Sequence, residues 1–197
     1  MATYQSIRYN VDYGGKAGAL MPLSLFTSDD SDATASFTSK IDSTYDEYLF
    51  IFNNIHPETD NTNFSFQASI DSGSNYNVTT TNTLFHSFHY EDNSGTPYVA
   101  MDTSRDLAQS TSFTVVIDSL GTDNDQNASG YLHLFNPSST TFVKHFISNA
   151  VTNTQNDGAI NCFGTGYFNT TSAIDAIQFK MSSDEIQAGT IGMFGVH

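Results

Sequence analysis

Residues Tyr131 to Ile147, YLHLFNPSSTTFVKHFI, leave the backbone little choice. Two runs rich in aromatic and β-branched side chains flank Asn136-Pro137-Ser138-Ser139, where Pro137 supplies the fixed φ that the second position of a type I turn requires. The segment predicts a β-hairpin with one of the longer loops. Side chains alternate with period two along a strand, so Leu132 and Leu134 share one face while Tyr131, His133 and Phe135 share the other. On the return strand Val143, His145 and Ile147 oppose Phe142, Lys144 and Phe146. Both faces are substantially apolar, whereas a sheet with one face in water carries polar residues there. One face is expected in a sandwich core, and the other has to be covered by a loop or by another chain.

The rest of the chain reads as more strands of this kind. Near the start, Ile7, Tyr9, Val11 and Tyr13 alternate with Arg8, Asn10 and Asp12, and the glycine-rich stretch Gly14 to Gly18 follows as a flexible joint. Residues 1–18 are therefore expected to be either an edge strand of their own sandwich or an arm that docks on a neighbour, with Ile7, Arg8, Tyr9, Val11 and Tyr13 at the contact. Residues 19–197 are expected to be one β-sandwich domain. Tyr48 to Phe52, YLFIF, is apolar on both faces and predicts a central strand that ends at Asn53-Asn54, before a turn around His56-Pro57. Phe64, Phe66, Ala68 and Ile70 alternate with Ser65, Gln67 and Ser69, the pattern of a half-buried strand.

Glu91 to Ser110 has no such pattern and is expected to be the longest connection without a strand, the kind of segment that is functional or mobile. About ten strands, with no helical periodicity between them, predict an all-β antiparallel two-sheet sandwich of the jelly-roll kind. Phe50, Phe52, Phe66, Leu134 and Phe179 are expected to meet between the sheets, each lying on an apolar face of a strongly patterned strand.

Charge narrows the partners. Six basic residues against 21 acidic ones give −15, a surface that repels phosphate backbones and anionic lipid, so a nucleic-acid role is excluded. Like-charged copies stay soluble, and salt screens their mutual repulsion, so a saline medium suits the chain. No stretch approaches the length of an apolar membrane span, and the first residues have no signal-peptide pattern, so synthesis in the cytoplasm without membrane insertion is expected.

Candidate chemical sites fail on spacing. His86 and His89 stand three apart and point to opposite faces of a strand, so they do not share a metal. Asp123-Asn124-Asp125-Gln126-Asn127 opens like a calcium loop, but Ala128 stands where an EF-hand needs Gly and Leu134 where it needs the bidentate Glu. Cys162, the single cysteine, is expected to be a small buried hydrophobe. No GxSxG elbow occurs, and no acidic pair sits in a recognisable glycosidase setting. No catalytic residue, metal ligand or cofactor is assigned, and the chain is not expected to be an enzyme.

DSTYDEYLF (Asp42 to Phe50), NNIHPETDN (Asn53 to Asn61), LHLFNPSSTTFVKHF (Leu132 to Phe146) and AIDAIQFKMSSDEIQAGTIGMFGV (Ala173 to Val196) resemble a family of small structural proteins of marine tailed bacteriophages, cyanophages among them. The likeness runs in order along nearly the whole chain. It closes on an IQF strand, a serine-rich turn and a GTI strand in which Phe194 stands where the family pattern has tyrosine. The resemblance implies a jelly-roll carried on the virion as a capsid decoration, tail or baseplate-associated subunit, with other virion proteins as partners. Strands apolar on both faces add the expectation of a homo-oligomer, with a trimer the first choice. The alternative is a carbohydrate-binding module at a tail or fibre tip that meets a host-surface glycan, with Tyr90 and Tyr98 as the contact residues.

Overall fold

The computed structural model describes residues 12–13, 16–17 and 20–196. Two antiparallel sheets face each other, and no helix occurs among the described residues. Asp12–Tyr13 (β1) and Lys16–Ala17 (β2) pair as a small ribbon, so part of the glycine-rich joint itself forms a strand. The alternation expected at Ile7, Arg8, Tyr9 and Val11 lies outside the described residues, and of Tyr13 only the backbone is described.

The wide sheet contains Leu20–Thr27 (β3), Glu47–Pro57 (β5), Thr80–Tyr90 (β7), Tyr98–Met101 (β8), Leu107–Ser110 (β9), Ala128–Phe135 (β11), Lys144–Asn153 (β12), Gly158–Phe168 (β13) and Ile186–Val196 (β15). Its strand order is β3-β15-β5-β11-β12-β13-β7-β8, with β9 also on β7. The narrow sheet has Ala35–Phe37 (β4), Thr62–Ser69 (β6), Thr114–Leu120 (β10) and Ala176–Met181 (β14), in the order β10-β6-β14-β4. The hairpin read from the sequence is β11 and β12, with Leu134 opposite Phe146 and Leu132 opposite Ser148. YLFIF lies in β5, between β15 and β11 and so inside the sheet.

The core fills the gap between the sheets. Phe50, Phe52, Phe66, Leu134 and Phe179 are all fully buried there. Phe179 is its hub: its ring centroid lies 5.4 Å from Phe52, 5.5 Å from Phe50, 5.6 Å from Phe64 and 6.1 Å from Phe66. Edge-on and stacked pairs at such distances add to the area that the rings bury.

Four expectations need correction. First, the described strands number fifteen rather than about ten, because several are too short to show a period. Second, β5 does not end at Asn53-Asn54 but runs to Pro57. Asn54 sits at φ 52° opposite a register shift in β15, where Gly189 has φ 118°, so the two strands share a bulge. Asparagine tolerates that left-handed backbone better than most residues.

Third, the polar face of β6 is buried as well as its apolar one. Gln67 is sealed in because its Nε2 donates to the carbonyls of Thr111 at 3.1 Å and Ser112 at 2.9 Å, while its Oε1 accepts from the Ala68 amide. Fourth, the segment Glu91 to Ser110 is no structureless loop, since β8 and β9 both fold back onto β7. Arg105 holds this return in place with Nε 3.1 Å and Nη2 2.8 Å from the two carboxylate oxygens of Asp118 on β10.

Candidate interaction face

The inner face of the wide sheet is the core, and its outer face is open. Among the described residues no loop covers the face to which the sequence assigned a cover. Register places outward side chains in rows that cross the sheet. One row runs Ile51, Tyr131, Asn149, Phe163, Phe85 and Met101, each paired with the next across adjacent strands. Gly192 and Leu25 extend it to the β3 edge. Beside it lies a second row, Phe194, Leu49, His133, Ile147, Thr165 and Thr83. Phe85 and Phe163 stack in the open, with centroids 5.0 Å apart and planes 10° from parallel.

Neither row holds an Asp, Glu, Lys or Arg, in a chain that has 27 of them by its 6 basic and 21 acidic residues. A third row, nearer the hairpin tip, has one, Glu47, and its Oε2 lies 2.7 Å from His133 Nε2. His133 also packs on Phe135 at 4.2 Å. Three rows across eight strands span about 35 Å by about 20 Å, or roughly 700 Å². Monomers seldom leave a contiguous apolar patch larger than a few hundred Å² in water.

Past the Tyr131-Asn149-Phe163 row the face dips into a groove of about 760 Å³. Pro97, Val99, Val151 and Ala159 supply its apolar lining, and Ser87, His89, Asn127, Ser129, Asn153 and Asn161 its polar groups. Tyr98 is 46% exposed, and Phe88 stacks behind it at 5.5 Å and 24°. The Phe88 ring lies over Gly158, where any Cβ would collide with it.

Tyr90 also packs on Phe88, edge-on at 4.7 Å, but it lines a separate acidic depression with Glu91, Asp92, Asp125 and Asp157. The fold thus brings the two tyrosines together on Phe88, at the inner side of the wide sheet: Tyr98 pairs with Phe88 across β8 and β7, and Tyr90 ends β7 opposite Gly158.

The remaining candidates stand apart. His86 faces inward beside Cys162, and His89 faces outward beside Ala159. Among the described residues no group of three or more His, Cys, Asp or Glu is placed to hold a metal ion. The Asp123 to Asn127 loop is closed by its own Gln126, whose Oε1 accepts from the Asp123 amide at 3.2 Å and whose Nε2 donates to Asp157 at 3.1 Å. Cys162 is fully buried, and desolvation pushes its thiol up to about 12, which keeps it protonated and unreactive.

One residue escaped the sequence reading. Lys144 points into the core beside Phe146, fully buried, and its Nζ donates to the carbonyls of Thr170 at 3.1 Å and Ser172 at 2.6 Å. The signal was its place in the alternation, on the same face as Phe146. Comparison with protein-family models, with curated proteins and with solved structures finds no match for this chain.

Proposed function

We propose that the chain is a structural subunit that works by assembly: its outer sheet face, which among its three rows holds the single carboxylate of Glu47, packs against the same face of a second copy. The observation that carries this reading is the absence of charge from two full rows of that face, in a chain of net charge −15. Repulsion keeps acidic copies apart wherever carboxylates meet, so a face without them is where two copies approach at least cost. The available area, roughly 700 Å², is close to the ~800 Å² per partner of an ordinary stable interface. Exposed Phe85, Phe163 and Tyr131 are the residue types enriched in such contacts.

The place of assembly follows from the family resemblance: a virion of a marine tailed phage, where the chain, a jelly-roll by that resemblance, contacts itself and other virion proteins as a decoration, tail or baseplate-associated subunit. It acts by shape and number rather than by catalysis.

Sedimentation over a concentration series tests the self-contact. The wild-type protein is expected to associate, and Ile147→Asp, which sets a carboxylate in the middle of the face, to be monomeric with an unchanged melting temperature. Mass also reads the stoichiometry, including the trimer expected from sequence. A wild-type protein that stays monomeric at high concentration, or an Ile147→Asp variant that associates equally well, overturns the reading. Micrographs of the particle labelled for this chain test the location, and an unlabelled particle overturns that part alone.

A further inference from the structure

Six bases stand against 21 carboxylates, and the fold engages four of the bases within the body. Lys40 donates to the Leu23 carbonyl, Arg105 is clamped to Asp118, Lys144 is buried, and Lys180 lies over the Phe113 ring at 4.4 Å. The two that remain, Arg8 and Lys16, both precede the body. Residues 1–11 hold no carboxylate at all, in a chain of net charge −15. We infer that this segment of one copy docks in the outer groove of a second copy, with Arg8 at the carboxylates beside the groove.

The floor of the groove is one row in register, Ser129, Val151, Asn161, Ser87 and Val99. None of its lining residues is an Asp, Glu, Lys or Arg. Where the strands end, it passes into the depression that holds Glu91, Asp92, Asp125 and Asp157. His89 of the groove leads directly to Tyr90 of the depression, and Ala159 follows Asp157 by two residues, so the two share their walls. Among the described residues none of the four carboxylates is in an ion pair. An occupant that suits both parts is apolar, carries its own amides and brings a cation.

Residues 1–11 meet each condition. Laid extended, they present Ile7, Tyr9 and Val11 on one side and Arg8 on the other. Main-chain groups serve the polar atoms of the groove. Asn153 Oδ1 is withdrawn from water without a hydrogen-bond partner among the described residues, and an incoming amide N–H relieves it. Asn161 Oδ1 accepts from Asn149 Nδ2 at 2.6 Å, which leaves its own Nδ2 to donate to an incoming carbonyl.

Reach excludes the chain's own groove. In register Leu20 is level with Thr81 of β7, nine residues from Tyr90, and six strand spacings separate β3 from β7. The corner from which the segment leaves is therefore about 40 Å from the carboxylates. Asp12 pairs with Ala17, so the residues between them add no reach, and the Cα of Arg8 lies at most about 30 Å from that of Leu20. A second copy has to supply the groove.

The contact is far smaller than the broad face, so it is read by fluorescence anisotropy with a labelled peptide of residues 1–11 titrated into the dilute full-length chain. Saturable binding is expected, and it should weaken severalfold as salt rises from about 0.05 M to about 0.5 M, since screening here acts on an attraction. An Arg8→Glu peptide should bind about tenfold more weakly or worse. Glu91→Lys combined with Asp125→Lys, both at exposed positions, should reverse the preference and take the Arg8→Glu peptide over the wild-type one. Val151→Lys, which fills the groove floor from an exposed position, should lose the peptide and melt with the wild-type protein. The Ile147→Asp chain should bind the peptide as the wild type does, so failure of the broad-face contact and failure of this one are read separately. Absence of saturable binding overturns the inference, as does a peptide indifferent to the charge swap. Binding that survives Val151→Lys overturns the placement in the groove. If the peptide binds an Arg8→Glu chain but not the wild-type one, the segment serves its own body and the second copy is wrong.

Discussion

Burying an ammonium without a carboxylate beside it is unfavourable, and Lys144 does this on the core side of β12, under the loop that carries Thr170 and Ser172. Two carbonyl acceptors hold it, and among the described residues it makes no ion pair. Desolvation lowers its pKa from the ordinary 10.5, so the folded chain gives up this proton more readily than the unfolded one. Between the lowered value and 10.5 the unfolded state binds more protons, and stability contributed by this residue rises with pH. Lys144→Met removes the burden at every pH. Its melting-temperature advantage over wild type is therefore expected to be largest near neutrality and to shrink as pH approaches 10.5. Tyr48 shifts the opposite way, its phenol held neutral by burial, but it is common to both proteins and cancels in the difference. A pH-independent difference would mean that the ammonium is solvated after all.

At the scale of the element, the narrow sheet is held to the wide one through β14. Phe179, at its centre, reaches rings on β4, β5 and β6. Phe179→Ala is expected to destabilise the protein by about 3–5 kcal/mol, the range for losing a buried aromatic. Urea denaturation reads it, and a loss under about 1 kcal/mol would place the ring outside the core.

Elements of this kind were legible in the sequence. The runs YLFIF and AIQFKM alternate or stay apolar long enough to fix strand, face and depth together. β8 and β9 were not legible, because four residues hold too little alternation to separate a strand from a loop, and their partner β7 is chosen only by the fold. Gln67 misled for a related reason: a polar side chain reads as solvated until the carbonyls of Thr111 and Ser112 are brought to it. Tyr98 stood out as an aromatic in a long connection, but only the sheet register shows that its ring turns inward onto Phe88, away from Asn153 and Asn161 on the outer face.

For the whole molecule, charge and face act against each other. A net charge of −15 pushes copies apart over about a Debye length, while the self-contact proposed for the outer face would act only at contact. Self-association is therefore expected to strengthen as salt rises from about 0.02 M to about 0.5 M, the range in which the Debye length contracts from about 20 Å to about 4 Å. Sedimentation at both salts reads it, and an association that weakens with salt would point to ion pairs at the contact instead.

The borders of the two sheets carry a further consequence. β3 has Pro22 within it and a register shift beside it, and the opposite border of the wide sheet is divided between the four-residue strands β8 and β9. In the narrow sheet β4 has three residues, and β10 is broken twice in register. None of these borders offers the long, unbroken row of amides and carbonyls that a newcomer strand needs in order to continue a sheet. Among the described residues these borders leave sideways growth little to build on, and the proposed sheet-to-sheet contact is through the broad face. Such a face would be used up by its first partner, so assembly through it is expected to stop at bodies of fixed size and not run on as filaments.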